Sequence, residues 1–245
     1  MTAAEPAAAR RFLDPHFRWR SHEVSRMEAF ADAVFGLVVA LLFLQTKVPE
    51  NLLELKAAML SLLPFAVSFV LLTMVWVEHH QFNRRYGLRD KATFFGNLWL
   101  LFLVLVYAYP LKFLFTLLFV AWIAPIGDLT IDRMGVGQEQ LGMQQLMVFY
   151  GVGAGAIYAT FALLYRHALC RGDDLGLDAV ERHLTVTSVI ECCVLVTFSL
   201  LSIALALCDQ PSWSGMIYCG IGPTMAVVGS RRGRQVTALV NARGA

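Results

Sequence analysis

Arg26 and Asp32 sit at the opening of a segment otherwise suited to lipid, with no strong polar group from residue 34 to residue 44. A charge at membrane depth costs at least ~2.5 kcal/mol, so it is seldom there without a partner or a task. A charged collar followed by an apolar stretch is the pattern of a helix that lines an ion path. Glu191, followed by Cys192 and Cys193, is a second carboxylate in an apolar run. It suits a proton relay, or a side chain that pairs with a cation near the interface. The packing or pairing reading is preferred. His79 and His80 are the only adjacent histidines. Neighbours on a helix point about 100° apart and cannot both ligate one metal or haem. The remaining histidines, His16, His22, His167 and His183, lie near charged segment ends. The run Gly151-x-Gly153-x-x-Ala156 has the letters of a dinucleotide fingerprint. That fingerprint needs a preceding strand, whereas this one sits inside an apolar helix. Gly151, Gly155 and Ala159 fit better as a close-packing helix face. The five cysteines have no metal-ligand spacing and read as small apolar packers. No catalytic site, metal or cofactor is expected, and the chain is not read as an enzyme.

The elements that must position these residues are membrane helices. The 245-residue chain is 58% hydrophobic and 16% charged, where soluble domains carry about 25% charged residues. Six spans are expected, near residues 25–46, 57–80, 93–117, 145–165, 184–207 and 213–229, each long enough for a bilayer. The apolar run after residue 94 is too long for one straight span. Pro110 and Lys112 predict a kink or stop there. Three segments follow: a cytoplasmic N-terminal segment 1–24, a six-helix transmembrane domain 25–229 and a basic tail 230–245, read as disordered. No apolar core precedes residue 34 in the manner of a signal peptide. Phe12, Phe17 and Trp19 among arginines suit either a helix on the membrane surface or a frayed tail. Residues 123–140, rich in Gly and Asp, read as a mobile connector.

The basic residues predict orientation. Arg10, Arg11, Arg18, Arg20 and Arg26 open the first span. Arg84, Arg85, Arg89 and Lys91 follow the second; Arg166, Arg171 and Arg182 follow the fourth; Arg231, Arg232, Arg234 and Arg243 follow the sixth. Only Lys47, Lys56, Lys112 and Arg133 fall on the other side. Both termini are therefore expected in the cytoplasm and the protein in the inner (plasma) membrane. A net charge of +2 gives no reason to expect nucleic acid as a partner.

On the first span, Phe30, Val34, Leu37, Leu41 and Leu44 recur at spacings of four and three and form one apolar face. Periodicity alone favours an ordinary helix–helix seam, and a stripe by itself cannot tell a seam from a pore.

With these residues in place, the chain resembles the endo-lysosomal potassium channel family, as a prokaryotic member. That family carries an Arg-x-x-x-Phe-Ser-Asp motif at the start of its first helix. Here it reads Arg26-x-x-x-Phe30-Ala31-Asp32, with alanine in place of serine. The resemblance continues at Trp76-x-x-His79 with Phe82 behind it, and at Asn97 followed by an aromatic, leucine-rich run to Pro110. It covers the first three spans well and the rest by layout. It implies an all-α channel without a Thr-Val-Gly-Tyr-Gly filter, which this sequence also lacks. The first helices of four subunits would line the pore, with Leu37, Leu41 and Leu44 facing it as a hydrophobic constriction. Arg26 and Asp32 would be held near the mouth by His79 and Asn97, fixing the pore helix and not binding the ion. Ala40 stands where relatives often have serine or threonine, so no hydroxyl replaces water around the ion.

The expectation is a potassium-permeable cation channel with weak preference for K+ over Na+. It would be a homotetramer in the lipid bilayer, with K+ as permeant ion. The alternatives are a proton-coupled secondary transporter, which would show broken midplane helices and internal symmetry, and a non-conducting membrane scaffold.

Overall fold

The computed structural model describes residues 16–21, 23–44, 50–123 and 140–244. The 123–140 connector expected from the sequence falls mostly outside the described residues, as does the start of the N-terminal segment.

Each helix begins and ends where its local chemistry directs. α1, Arg26–Leu44, starts behind Ser25, whose Oγ accepts the Glu28 N–H at 3.1 Å. That bond satisfies one of the amides every helix leaves free at its start. α2, Leu52–Leu60, is capped by Asn51, whose Oδ1 accepts the Glu54 N–H at 2.9 Å. α3, Leu62–Tyr86, runs six residues past the expected end. It stops at Gly87, whose left-handed φ of 57° returns its N–H to Asn83 O. A side chain at Gly87 would be strained by this backbone conformation. α4, Lys91–Ile123, opens behind Asp90, which accepts the Thr93 N–H at 3.3 Å. α5 covers Gln140–Cys170. α6, Ala179–Leu207, opens on a reciprocal capping box between Asp178 and Glu181. α7, Pro211–Met216, is followed by a 3-10 turn, Ile217–Gly220, and by α8, Ile221–Gly244.

Five helices among the described residues are long and apolar enough to cross a bilayer. They match the first five expected spans. The sixth, 213–229, is not one straight helix but falls on α7, the 3-10 turn and the first part of α8. Only the 3-10 turn at Ile217–Gly220 departs from α-helical bonding there, and the residues on either side of it, Met216 and Ile221, remain in the right-handed helical region. Ser202 and Ser214 hydroxyls bond at 2.8 Å and tie this broken segment to α6. α8 then continues through the basic residues to Gly244, so the disordered tail expected after Gly229 is not found. Arginine, glutamine, alanine and leucine favour helix enough to carry it through Gly229 and Gly233.

α4 does not stop at Pro110. The Tyr150 hydroxyl of α5 donates to Pro110 O and ties the two helices together at this residue. Lys112 is buried, and its Nζ lies 3.5 Å from Leu42 O in the last turn of α1. A cation there meets the negative end of the helix dipole and its free carbonyls.

α1 packs on α3 and α4, and α5 packs along α6. The α5–α6 seam is built on glycine. A Cβ on Gly155 would stand 3.2 Å from Ser199 Cβ, and one on Gly151 would stand 2.6 Å from Ile203 Cγ1. The close-packing face read from the sequence is therefore real at these two positions. The core gathers Phe82, Tyr86, Leu100, Val104, Phe161 and Tyr165, with Phe82 and Tyr165 rings edge to face at 5.3 Å. All five cysteines are free, but only Cys192 is buried.

Candidate functional site: the first helix and its charged mouth

Helical periodicity divides α1 into two faces. Ala31, Phe35, Val38 and Leu42 are buried against α3 and α4. Leu37, Leu41 and Leu44 on the other face are 54%, 45% and 73% exposed, and Phe30 and Ala40 are exposed with them. Of the expected stripe, only Val34 is partly packed against the core. Among the described residues, the stripe is thus no seam. Three leucines at helical spacing stand free on one subunit beside a face that is fully packed. An apolar face of that kind belongs against lipid, another subunit or a narrow ion path.

At the mouth, the Trp76 Nε1–H donates to Asp32 Oδ1 at 2.8 Å. The Trp76 ring stacks on His80 at 5.5 Å. This bond fastens α1 to α3 across an open groove of about 310 Å³ lined by Asp32, Phe35, Gly36, Val39, Leu72, Thr73 and Trp76. Asn83 Nδ2 lies 3.2 Å from His79 Nε2 and donates to His79 O at 2.9 Å. Asn97 Nδ2 in turn donates to Asn83 Oδ1 at 3.3 Å. His79, Asn83 and Asn97 form a buried polar knot joining α3 to α4. It meets α1 through the Phe35 ring, 6.0 Å from His79.

The direct hold expected of His79 and Asn97 on Arg26 and Asp32 is thus differently arranged. Asp32 is bonded by Trp76. Arg26 is exposed, and among the described residues it is joined by no hydrogen bond or ion pair to Asp32, His79 or Asn97. The way α1 crosses α3 explains this. Asp32 and Phe35 are three residues apart, so the carboxylate lies beside the Phe35 face and reaches the tryptophan one turn before His79. Asn83 was missed in the sequence. Its place four residues after His79 was the available signal.

A second structure at the same end was also missed. Phe17 is buried edge to face against Tyr86 at 5.4 Å, with the Arg20 and Arg85 guanidinium groups 5.5 Å and 5.2 Å from its ring. Arg20 Nη2 pairs with Glu181 Oε2 at 2.6 Å, and Arg18 N–H donates to Glu181 Oε1 at 2.9 Å. Arg20 N–H donates to Arg84 O at 3.0 Å. The described residues 16–21 are therefore a non-helical strap clamped to the end of α3 and the start of α6, while Phe12 of the surface-helix reading lies outside the described residues. Nearby, Glu28 of α1 lies 3.8 Å from Arg84 Nε. His167 pairs with Asp90 at 2.6 Å across the α4 and α5 ends. Burial pushes the Asp90 carboxyl up, but hydrogen bonds from Thr93 and His167 and the His167 charge together hold it below its ordinary value of 3.8.

The family pattern of the endosomal/lysosomal potassium channel TMEM175 matches residues 26–110, from the mouth of α1 to Pro110. A protein of Marivirga tractuosa named a potassium channel is 36% identical over 226 residues, 89% of this chain and 91% of that one. A potassium channel of Chamaesiphon minutus is 36% identical over 172 residues, 66% of this chain and 73% of that one. Among solved structures, a variant of the potassium channel MtTMEM175, crystallised with a nanobody–MBP fusion, is similar at 35% identity and a TM-score of 0.79. It covers 90% of this chain and 98% of its own. A lysosomal potassium-selective TMEM175 homologue from Chamaesiphon minutus shares the fold at a TM-score of 0.55 and 23% identity, over 86% of this chain and 99% of its own. Fold and site together define an all-helical, multi-pass membrane protein of an ion-channel class and not an enzyme. The chain belongs to the TMEM175 family of potassium channels, as a prokaryotic member.

Proposed function

We propose that this protein is a potassium-permeable cation channel of the bacterial inner membrane, with four copies arranged around α1. Its relatives are named potassium channels. The observation that carries the pore reading is the exposed Leu37–Leu41–Leu44 face on a helix whose opposite face is packed. Rings of leucine around a narrow axis exclude water and close the path by dewetting. Opening widens or rotates α1. Asp32 and Trp76 set the angle at which α1 leaves α3, and the Phe17–Arg20 strap fixes where its first turn begins.

Potassium gives up water more readily than sodium, so an apolar constriction favours it through the dehydration penalty. Ala40 offers no hydroxyl to replace the lost water, so the preference is weak. The gathering of Arg18, Arg20, Arg84, Arg85, Arg171 and Arg182 at one end supports a cytoplasmic location for that end.

The test is cation flux in liposomes, with reversal potentials under opposed potassium and sodium gradients. Wild type should show a small shift toward the potassium potential. Leu37→Ser and Leu41→Ser should raise basal flux, because a hydroxyl lets water into the constriction. If these leucines instead pack against other protein, their loss costs about 2–5 kcal/mol and lowers folded yield. A fall in yield with no rise in flux would sink the pore reading.

A further inference from the structure

We propose that the basic stretch of α8, Arg231–Arg232–Arg234, is a binding site for anionic phospholipid headgroups at the membrane surface. The α8 sequence Ile221–Gly244 holds four arginines and no carboxylate. Its stretch 221–230 carries no charge, and three of the four arginines follow within the next four residues. The stretch 211–229 supplies the length of one bilayer crossing, at about 1.5 Å per residue, so Arg231 emerges at headgroup depth. α8 remains helical past that point, which holds the cations at fixed spacing in place of a loose tail. Arg231 and Arg234 are exposed and lie one turn apart on the same face, with Arg232 half-exposed beside them. Gly229 and Ser230 precede them, both exposed and small, and leave the approach to the helix open.

Of the other arginines at this end, four enter ion pairs, whereas Arg26, Arg89 and Arg166 enter none among the described residues. Arg20 pairs with Glu181 and Arg84 with Glu28, while Arg171 pairs with Asp174 and Arg182 with Asp173. Asp90 is taken by His167, and Asp178 caps α6. Those carboxylates are therefore committed. Among the described residues, Arg231, Arg232 and Arg234 enter no ion pair. The helix dipole does not account for them either, since its effect is confined to the last turn and they lie ten or more residues before Gly244. A polybasic cluster directly after a membrane crossing is matched in charge and depth by anionic lipid. The site rests on the 211–229 stretch being a crossing and is independent of conduction.

The test uses the purified full-length protein in neutral detergent mixed with equal phosphatidylglycerol and phosphatidylcholine, with the lipids retained after exchange counted by native mass spectrometry. Wild type should retain phosphatidylglycerol in excess. Each arginine near an anionic surface contributes roughly fivefold in affinity. Arg231→Gln/Arg232→Gln/Arg234→Gln should therefore return the ratio to that of the mixture, and the triple lysine variant should keep the excess. Wild-type retention in the bulk ratio, or an unchanged excess in the glutamine variant, would overturn the proposal. So would inorganic phosphate displacing the lipid as well as phosphatidylglycerol does, since the site would then be for free phosphate. Should the glutamine variant fail to fold, salt decides on the wild type alone. The excess must collapse near 1 M salt, where screening falls to about 3 Å, and an excess that persists there refutes the site. Because lipid and not flux is counted, a protein that does not conduct would bear on the channel reading alone.

Discussion

Asp32 would be an isolated carboxylate at the mouth of an apolar helix were it not for the indole of Trp76. A hydrogen bond to a charged group contributes more than a neutral one, but solvent access to Asp32 reduces its effect here to about 1 kcal/mol. Trp76→Phe keeps the ring against His80 and removes only the N–H. Its melting temperature in detergent should fall by a few degrees, with further loss in Trp76→Ala as the stacking goes too. An unchanged Trp76→Phe melt would mean that the Asp32 bond adds nothing. Asp90 makes a second residue-scale case. Its folded carboxyl sits below the ordinary 3.8, so the stability it supplies is complete above that pH. It is lost as pH falls through the lower, folded value. Asp90→Asn should therefore melt below wild type at neutral pH, and the gap should close as pH falls below 3.8. A gap that widens in acid would contradict the sign.

At the scale of elements, the α5–α6 pair is the rigid wall on which the rest leans. Gly151 is buried where Ile203 and the Ser199 carbonyl of α6 leave no room for a side chain. Overpacking a tight seam costs typically about 1–3 kcal/mol. Gly151→Leu should lower the melting temperature and the yield of folded protein, while Gly142→Leu, with open space at its Cβ, should do neither. Equal loss in both variants would show that the glycines matter for something other than close approach. The seam also explains the reach of the strap. α6 begins with Glu181, and Glu181 holds Arg18 and Arg20, so the entry to α1 is referenced to this wall. α1 makes its main contacts with α3 and α4, which leaves the Leu37–Leu41–Leu44 face free for assembly.

For the whole molecule, orientation is the property most open to a direct experiment. A reporter fused after Ala245, or inserted near Arg89, should be cytoplasmic, and one near Gly127 should be external. An external C-terminus would contradict the charge distribution on which the orientation rests. The division between what sequence and tertiary structure determine follows from the range of the forces involved. Five long apolar helices, the caps at Ser25, Asp90 and Asp178, and the small-residue seam at Gly151 and Gly155 depend on local propensity and hydropathy. Those act within a few residues, and the sequence alone determined them. So did the family, through the order of Arg26, Phe30, Asp32, Trp76, His79 and Asn97. Which of those residues touch was decided only by tertiary packing. Periodicity placed Leu37, Leu41 and Leu44 on one face, but only the packing of Ala31, Phe35, Val38 and Leu42 left that face free. Trp76 and not His79 meets Asp32 because the crossing of α1 and α3 sets their relative height, and no local rule carries that information. The Phe17–Arg20 clamp depends on Glu181, more than 150 residues away in sequence. Contacts that long are closed by the fold, since burial of Phe17 and the Arg20–Glu181 pair must offset the chain entropy of holding the strap in place.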